Sequence, residues 1–282
     1  MKVFKNIQVL LLVMALFLSS FTTLFIEPSV SAVASDVTTV KVEGKIYHSY
    51  EQKLLKLVNK ERAKRGRSKL KMDNKLNNLA TKRAKEISVY YSHQRPNNKR
   101  GLDIYPWRHF VGENIGVNFN TPKQALKKWM NSPRHKKNIL NKKYKSVGIG
   151  CFCTNNTFYW VQYFVDNRVK KNCKQKADCK GTYEINIKKK NITPFQKRTE
   201  IDFNNTKAKT LTYYQWSTSI NGKDFITALK PECITFEAED SDIVKVDSNG
   251  KVVPKKNGNT TVTAYVKGAE DSKIVWHINV SL

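Results

Sequence analysis

Apolar residues recur at helical spacing from Glu51 onward, with Leu54, Leu55, Val58 and Ala63 on one stripe and Gly66 as a stop. A second helix is predicted from Asp73, a good N-cap, with Leu76, Leu79, Ala80, Ala84 and Ile87 facing inward. It ends near Tyr90 and Tyr91. Ser92-His93-Gln94-Arg95-Pro96 then reads as a turn or loop, because the residue before a proline is pushed out of helical geometry. Residues 97–111 are irregular and aromatic, with Tyr105, Trp107 and Phe110. Thr121-Pro122 and Ser132-Pro133 each join an N-cap to a proline at the first helical position. The first opens a helix with Ala125, Leu126, Trp129 and Met130 on its apolar face; the second opens a short helix to about Leu140 that carries His135. Residues 146–152 and 157–164 alternate as strands around the turn Thr154-Asn155-Asn156. Helices followed by a hairpin predict a mixed α+β unit over residues 51–166, with residues 35–50 as a leader into it.

The helical period then disappears. Residues 167–181 form a Lys- and Cys-rich connector, and short strands are expected at 183–187, 210–216, 234–238, 243–246, 251–253, 260–266 and 274–280. Asp247-Ser248-Asn249-Gly250 and Lys256-Asn257-Gly258-Asn259 supply hairpin-type turns. Short alternating strands in such density predict an all-β sandwich over residues 182–282.

At the start of the chain, Lys2 and Lys5 precede an apolar run at residues 9–18, and Ala32-Val33-Ala34 offers the small residues a signal peptidase reads. This is the pattern of a secretory signal peptide over residues 1–34, cleaved after Ala34 or Ala32. Ser19, Ser20, Thr22 and Thr23 interrupt the run, which argues against a membrane anchor of about 20 mostly apolar residues. No later stretch could cross a bilayer as a helix. Cleavage removes Lys2, Lys5 and Glu27, so nearly all of the net charge of +28 stays with the secreted, extracellular chain. So basic a surface is drawn to polyanions. Export and the spread of the lysines along the whole chain argue against nucleic acid. Anionic cell-envelope polymers or lipids fit the compartment better, and a protein partner is compatible with it. Cys151, Cys153, Cys173, Cys179 and Cys233 predict disulfides in that setting, with the pairing open.

Histidine is scarce, with five in the chain. His93 and His135 sit beside signals that fix backbone geometry, and Glu113 lies within Gly112-Glu113-Asn114-Ile115-Gly116. Two imidazoles and a carboxylate can bind a divalent metal or run acid–base chemistry. A hydrogen-bonded carboxylate can equally tie loops together. His48 and His109 have the same claim on residue type. Trp129 and Trp160 read as core.

Several ordered pieces carry a family resemblance. They are Leu57-Val58-Asn59-Lys60-Glu61-Arg62 with Leu70, Ser92-His93-Gln94-Arg95-Pro96, Gly112-Glu113-Asn114-Ile115 and Trp129-Met130-Asn131-Ser132-Pro133-Arg134-His135. Asn138-Ile139-Leu140, Val147-Gly148-Ile149-Gly150 and Tyr159-Trp160-Val161-Gln162 follow in order. Together they resemble the bacterial branch of the CAP (SCP-like) superfamily. The resemblance implies an α-β-α sandwich with a central cleft, where two His and two Glu line the cleft in many members and hold a divalent ion. His93, Glu113 and His135 match three of the four; the fourth carboxylate falls at Ser132, which reads as the N-cap of the following helix and stays a candidate binding position. The reduced set implies zinc or another divalent cation, held weakly. It also implies a binding or interaction protein whose cleft holds a metal or a small or lipidic ligand, the alternative being a metal-dependent hydrolase of protein or cell-wall polymer. Asp240-Ser241-Asp242-Ile243-Val244-Lys245-Val246-Asp247-Ser248-Asn249-Gly250-Lys251-Val252-Val253 and residues 258–264 resemble bacterial Ig-like (group 2) domains, which implies a spacer or adhesive module after the CAP unit.

Overall fold

The stretch expected as a leader is a strand. In the computed structural model, which describes residues 35–100, 111–167, 173, 176–205 and 207–282, β1 (Val37–Ile46) precedes α1 (His48–Ala63), β2 (Lys71–Met72) and α2 (Asn74–Val89). The expected signal peptide, and Tyr105, Trp107, His109 and Phe110, lie outside the described residues. β3 (Val111–Val117), α3 (Pro122–Asn131), α4 (Pro133–Leu140), β4 (Ser146–Thr154) and β5 (Thr157–Val165) complete the mixed unit, and β6 (Cys179–Lys188) follows. One sheet runs in the order β3-β5-β4-β1-β6, with β2 beside β4.

Alternation places β1. Val40, Val42 and Ile46 are buried while Lys41, Glu43 and Lys45 between them face outward, the period of a strand with one packed face. Its antiparallel register with β6 runs from Val37 opposite Lys188 to Ile46 opposite Cys179. Residues 183–187, expected in the C-terminal sandwich, therefore extend the first sheet instead, and a boundary at 181/182 would cut a strand.

Two cores lie on the two faces of this sheet. On one, Leu54, Leu55 and Val58 of α1, Trp129 of α3 and Ile139 of α4 pack on Val147, Ile149, Cys151, Trp160 and Phe164. On the other, Leu76, Ala80, Ala84 and Ile87 of α2 meet Val161, Tyr163 and Ile115. This is the expected α-β-α layering, and both Trp129 and Trp160 are buried core residues. Gly148 and Gly150 explain how close α2 lies: a Cβ at either would stand 2.2 Å from the Leu76 or Ala80 carbonyl oxygen.

Local signals act as the sequence implies at two of three caps. Asp73 Oδ1 accepts from Leu76 N at 2.6 Å, and Thr121 Oγ1 accepts from Gln124 N at 3.2 Å. Ser132 occupies the N-cap of α4 but makes no side-chain capping bond, so its expected capping role is corrected to one of position only. The Asn59 amide exchanges both bonds with the Leu70 backbone, at 3.0 and 2.8 Å. Arg62 is buried and donates to the carbonyls of Ser68, Ile139, Asn141 and Tyr144, tying α1 to the end of α4; burial lowers its pKa to about 10.

Beyond β6 the chain is all β. β7 (Pro194–Phe195), β8 (Glu200–Asn204), β9 (Lys209–Thr210), β10 (Tyr214–Ile220), β11 (Lys223–Ala228), β12 (Ile234–Ala238), β13 (Val244–Val246), β14 (Lys251–Pro254), β15 (Gly258–Val266) and β16 (Ala269–Ser281) follow. They form three sheets, β11-β10-β7, β12-β15-β16-β8 and β13-β14-β9. These strands pack directly on the end of α2. Thr227 Oγ1 donates to Ser88 O at 2.8 Å, the buried Gln215 amide donates to Val89 O at 3.1 Å, and Tyr91 N donates to Ser217 O at 3.3 Å. One continuous core joins α2, β1 and β6 to β15 and β16 by way of Tyr213, Val262 and Trp276.

All five cysteines are free thiols, which corrects the expected disulfides. Strand geometry accounts for one pair. Cys153 lies opposite Lys45 and Cys179 opposite Ile46, so the two flank β1 from opposite faces and cannot bridge.

Candidate functional site

Glu113 sits on β3, at the edge of the sheet, and its carboxylate is almost wholly enclosed, with 3 % of the side chain exposed. Both oxygens are engaged. Oε2 meets His93 Nδ1 at 2.7 Å; Oε1 accepts from Arg83 Nε at 3.1 Å and from the Tyr163 hydroxyl at 3.2 Å. Tyr163 is directly opposite Glu113 in the β3–β5 register, and Arg83 rises from α2, which packs on that face. Burial, and then the Glu113 charge, push the Tyr163 pKa up, so its hydroxyl stays a donor.

Arg83 is the anchor. Its side chain is 0 % exposed, stands 3.6 Å from Glu86, and its Nη2 donates to the carbonyls of Ser92 and Gln94. Arg95 reaches back to Glu86 with Nε at 3.0 Å. One guanidinium thus fixes the carboxylate and the backbone on both sides of His93. A planar guanidinium with several fixed donors suits this work, whereas a lysine would offer one mobile point charge.

The neighbouring residue faces the other way. Asn114 is fully buried; its amide donates to His135 O at 3.2 Å and to Gln162 Oε1 at 3.1 Å. Asn138 of α4 donates to Asn114 Oδ1 at 2.9 Å and to Glu113 O at 3.1 Å. The period of two along β3 therefore sends the Glu113 and Asn114 side chains to opposite faces. The Glu113 carboxylate joins His93 on the α2 face, while Asn114 holds the His135 backbone on the α4 face. The half-buried His135 ring lies 6.5 Å from the Trp129 ring, centroid to centroid. Burial lowers its pKa, and the His93 charge lowers it further. Ser132 stands at the α3–α4 joint, where its backbone N–H donates to Trp129 O at 3.2 Å.

This donor set does not fit a divalent ion. Three ligands must converge with free lone pairs, and here both oxygens of the one carboxylate are engaged, by His93, Arg83 and Tyr163. Among the described residues no group of three His, Cys, Asp or Glu side chains is placed to hold a metal.

Arg83, Tyr163, Asn138 and Gln162 were not assigned to the site from sequence. Arg83 did leave a signal, since it lies three residues after Ala80 and four before Ile87, on the buried stripe of α2. His48 is also buried, but in a separate knot. Its Nδ1 meets Glu51 Oε2 at 2.8 Å, and Glu51 also accepts from Asn77, Thr81 and Cys151 N.

Part of the chain is similar to known proteins. Residues 55–164 match the CAP, cysteine-rich secretory protein family. The chain is 31 % identical over 142 residues to the uncharacterized protein YkwD of Bacillus subtilis, covering 48 % of this chain and 54 % of that one. It is 29 % identical over 127 residues to the uncharacterized membrane protein YlbC of the same organism, covering 43 % of this chain and 36 % of that one. The chain thus spans about half or less of the curated relatives it matches. Among solved structures, an extracellular protein containing a SCP domain from Bacillus anthracis aligns with TM-score 0.39 and 25 % identity over 42 % of this chain and 41 % of that one. A cysteine-rich secretory protein from Staphylococcus aureus aligns with TM-score 0.34 and 21 % identity over 42 % and 38 %. The helices, glycines and polar residues that build the Glu113 site all fall within or beside residues 55–164, the stretch of this chain that matches the CAP, cysteine-rich secretory protein family.

Proposed function

We propose that this is an exported, envelope-associated binding protein whose CAP domain presents His93 and His135 to a small or lipidic ligand. The observation that carries the reading is the engagement of both Glu113 oxygens by His93, Arg83 and Tyr163. A carboxylate so committed is a poor general base and a poor metal ligand, which leaves a metal-dependent hydrolase without its central group. What the site turns outward is the His93 ring, 65 % exposed, with Nδ1 tied to Glu113 and Nε2 left for a ligand. His135 adds a half-buried imidazole whose lowered pKa favours the neutral form.

Export rests on the charged, apolar and small-residue pattern of residues 1–34. Among the described residues no helix is long and apolar enough to cross a membrane. The net charge of +28 supports anionic envelope polymers or lipid headgroups as partners, with a protein partner also compatible. The Ig-like reading of the C-terminal strands is supported by the turn at Asp247, which accepts from the backbone N–H groups of Asn249 and Lys251 and joins β13 to β14.

The test pairs binding with turnover in the exported chain. Binding of palmitate and of anionic phospholipid vesicles is measured beside cleavage of peptide and cell-wall fragments. Binding that weakens in His93→Ala and His135→Ala, without turnover, is expected. Turnover abolished by the same substitutions in folded protein would replace this reading with the hydrolytic one.

A further inference from the structure

A concave site away from Glu113 is lined by three elements: α2 with Lys82, Lys85 and Glu86, the loop after it with Arg95 and Lys99, and β6 with Glu184. Its volume is about 560 Å³, and Asn97 and Asn186 add amide groups to its wall. That is room for a ligand of several linked units, well beyond a single small anion.

The charges in this groove do not balance. Both carboxylates are already used: Glu86 holds Arg95 and faces Arg83, and Glu184 stands 3.5 Å from Lys41. Lys82, Lys85 and Lys99 have no carboxylate within ion-pair distance among the described residues. Lys85 is held over the Tyr183 ring, with its ammonium 4.5 Å from the centroid. Burial, and then the Lys82 charge beside it, lower the Lys85 pKa. Lys82, Lys85, Arg95 and Lys99 thus share one hollow with two carboxylates, Glu86 and Glu184, that are already paired with Arg95 and Lys41.

We infer that this groove is a binding site for a polyol-phosphate chain, a flexible polymer with one negative charge per phosphodiester. Ammonium groups act as point charges and suit phosphate oxygens that present no planar fork. The amides of Asn97 and Asn186 suit the hydroxyls of a polyol between phosphates. A single-stranded nucleic acid would need an aromatic platform for its bases. Among the described residues no aromatic side chain lines this groove, and the nearby Tyr183 ring is covered by Lys85. The site rests on the reading of anionic envelope polymers as partners, and it locates one contact that the net charge alone leaves spread over the molecule.

The test measures affinity of the exported chain for a glycerol-phosphate oligomer as a function of salt. A groove variant, Lys82→Gln with Lys85→Gln and Lys99→Gln, is set against a variant of equal charge, Lys245→Gln with Lys256→Gln and Lys273→Gln, on exposed positions of the C-terminal strands. Thermal melts confirm that both are folded. The groove variant is expected to lose about tenfold or more in affinity with a shallower salt dependence, and the second variant much less. Equal losses would overturn the groove while leaving the general charge reading intact. Failure of the unmodified chain to bind would overturn both. Tighter binding of a single-stranded oligonucleotide, lost in the groove variant, would overturn the assignment to a polyol-phosphate chain.

Discussion

Arg83 balances two buried carboxylates and two backbone carbonyls from a position with no access to water. Removing one partner of such a network leaves uncompensated charge, so Arg83→Met is expected to destabilise the protein by about 3–5 kcal/mol. Adding Glu113→Gln should cost less in that background than in the native one, and denaturant melts of the double-mutant cycle read the coupling. Strict additivity would contradict the network. His135 offers a second residue-scale test. Its pKa in the fold lies below the ordinary histidine value of about 6.5 that applies to the unfolded chain. Stability is therefore present above that pH and is lost as pH falls through the lower folded midpoint. A ring-proton NMR titration should give a midpoint below about 6.5 that moves up in His93→Ala. A midpoint at or above the ordinary value would refute the neighbour relation. His93 and Glu113 were legible because each sits in an ordered motif. Arg83 was not, since a charge inside a helix reads as solvent-facing unless the stripe of Ala80, Ala84 and Ile87 is followed through it.

At the scale of elements, the site depends on how closely α2 lies on the sheet. Gly148→Ala and Gly150→Ala each place a Cβ against helix backbone that has no flexible side chain to yield. Each should destabilise by about 1–3 kcal/mol or more, as overpacking does, and the His93 resonance should shift as α2 is lifted. Unchanged melting would mean the helix stands further off. The helices were legible from their 3.6-residue period and from Asp73 and Thr121 as caps. β4 and β5 were legible as a hairpin. β1 and β6 were harder for a physical reason. Their partner residues are more than a hundred positions apart, and the charged Lys41, Glu43 and Lys45 at alternate positions make β1 look like a polar leader. β8 was missed for a similar cause, because its parallel pairing with β16 has no local turn to announce it.

At the scale of the whole molecule, the described chain from Asp36 onward forms one compact unit. A chain ended at residue 166 loses β6, which pairs with β1 over all ten of its residues, and loses Gln215 and Thr227 from the end of α2. Such a fragment should lack a cooperative melt, whereas independent folding of residues 35–166 would show that the strands are a separable appendage. The packing at Ser88 and Val89 was not legible, because buried Gln and Thr in a strand announce no partner. It matters for the site, since α2 leads directly into the His93 loop. The most direct measurement is a zinc titration of the protein followed by the His93 and His135 ring resonances. With both Glu113 oxygens committed to His93, Arg83 and Tyr163, no saturable shift at stoichiometric zinc is expected. A one-to-one saturable shift of both rings, abolished in Glu113→Gln, would contradict the reading of this site as a locked polar network that binds without metal.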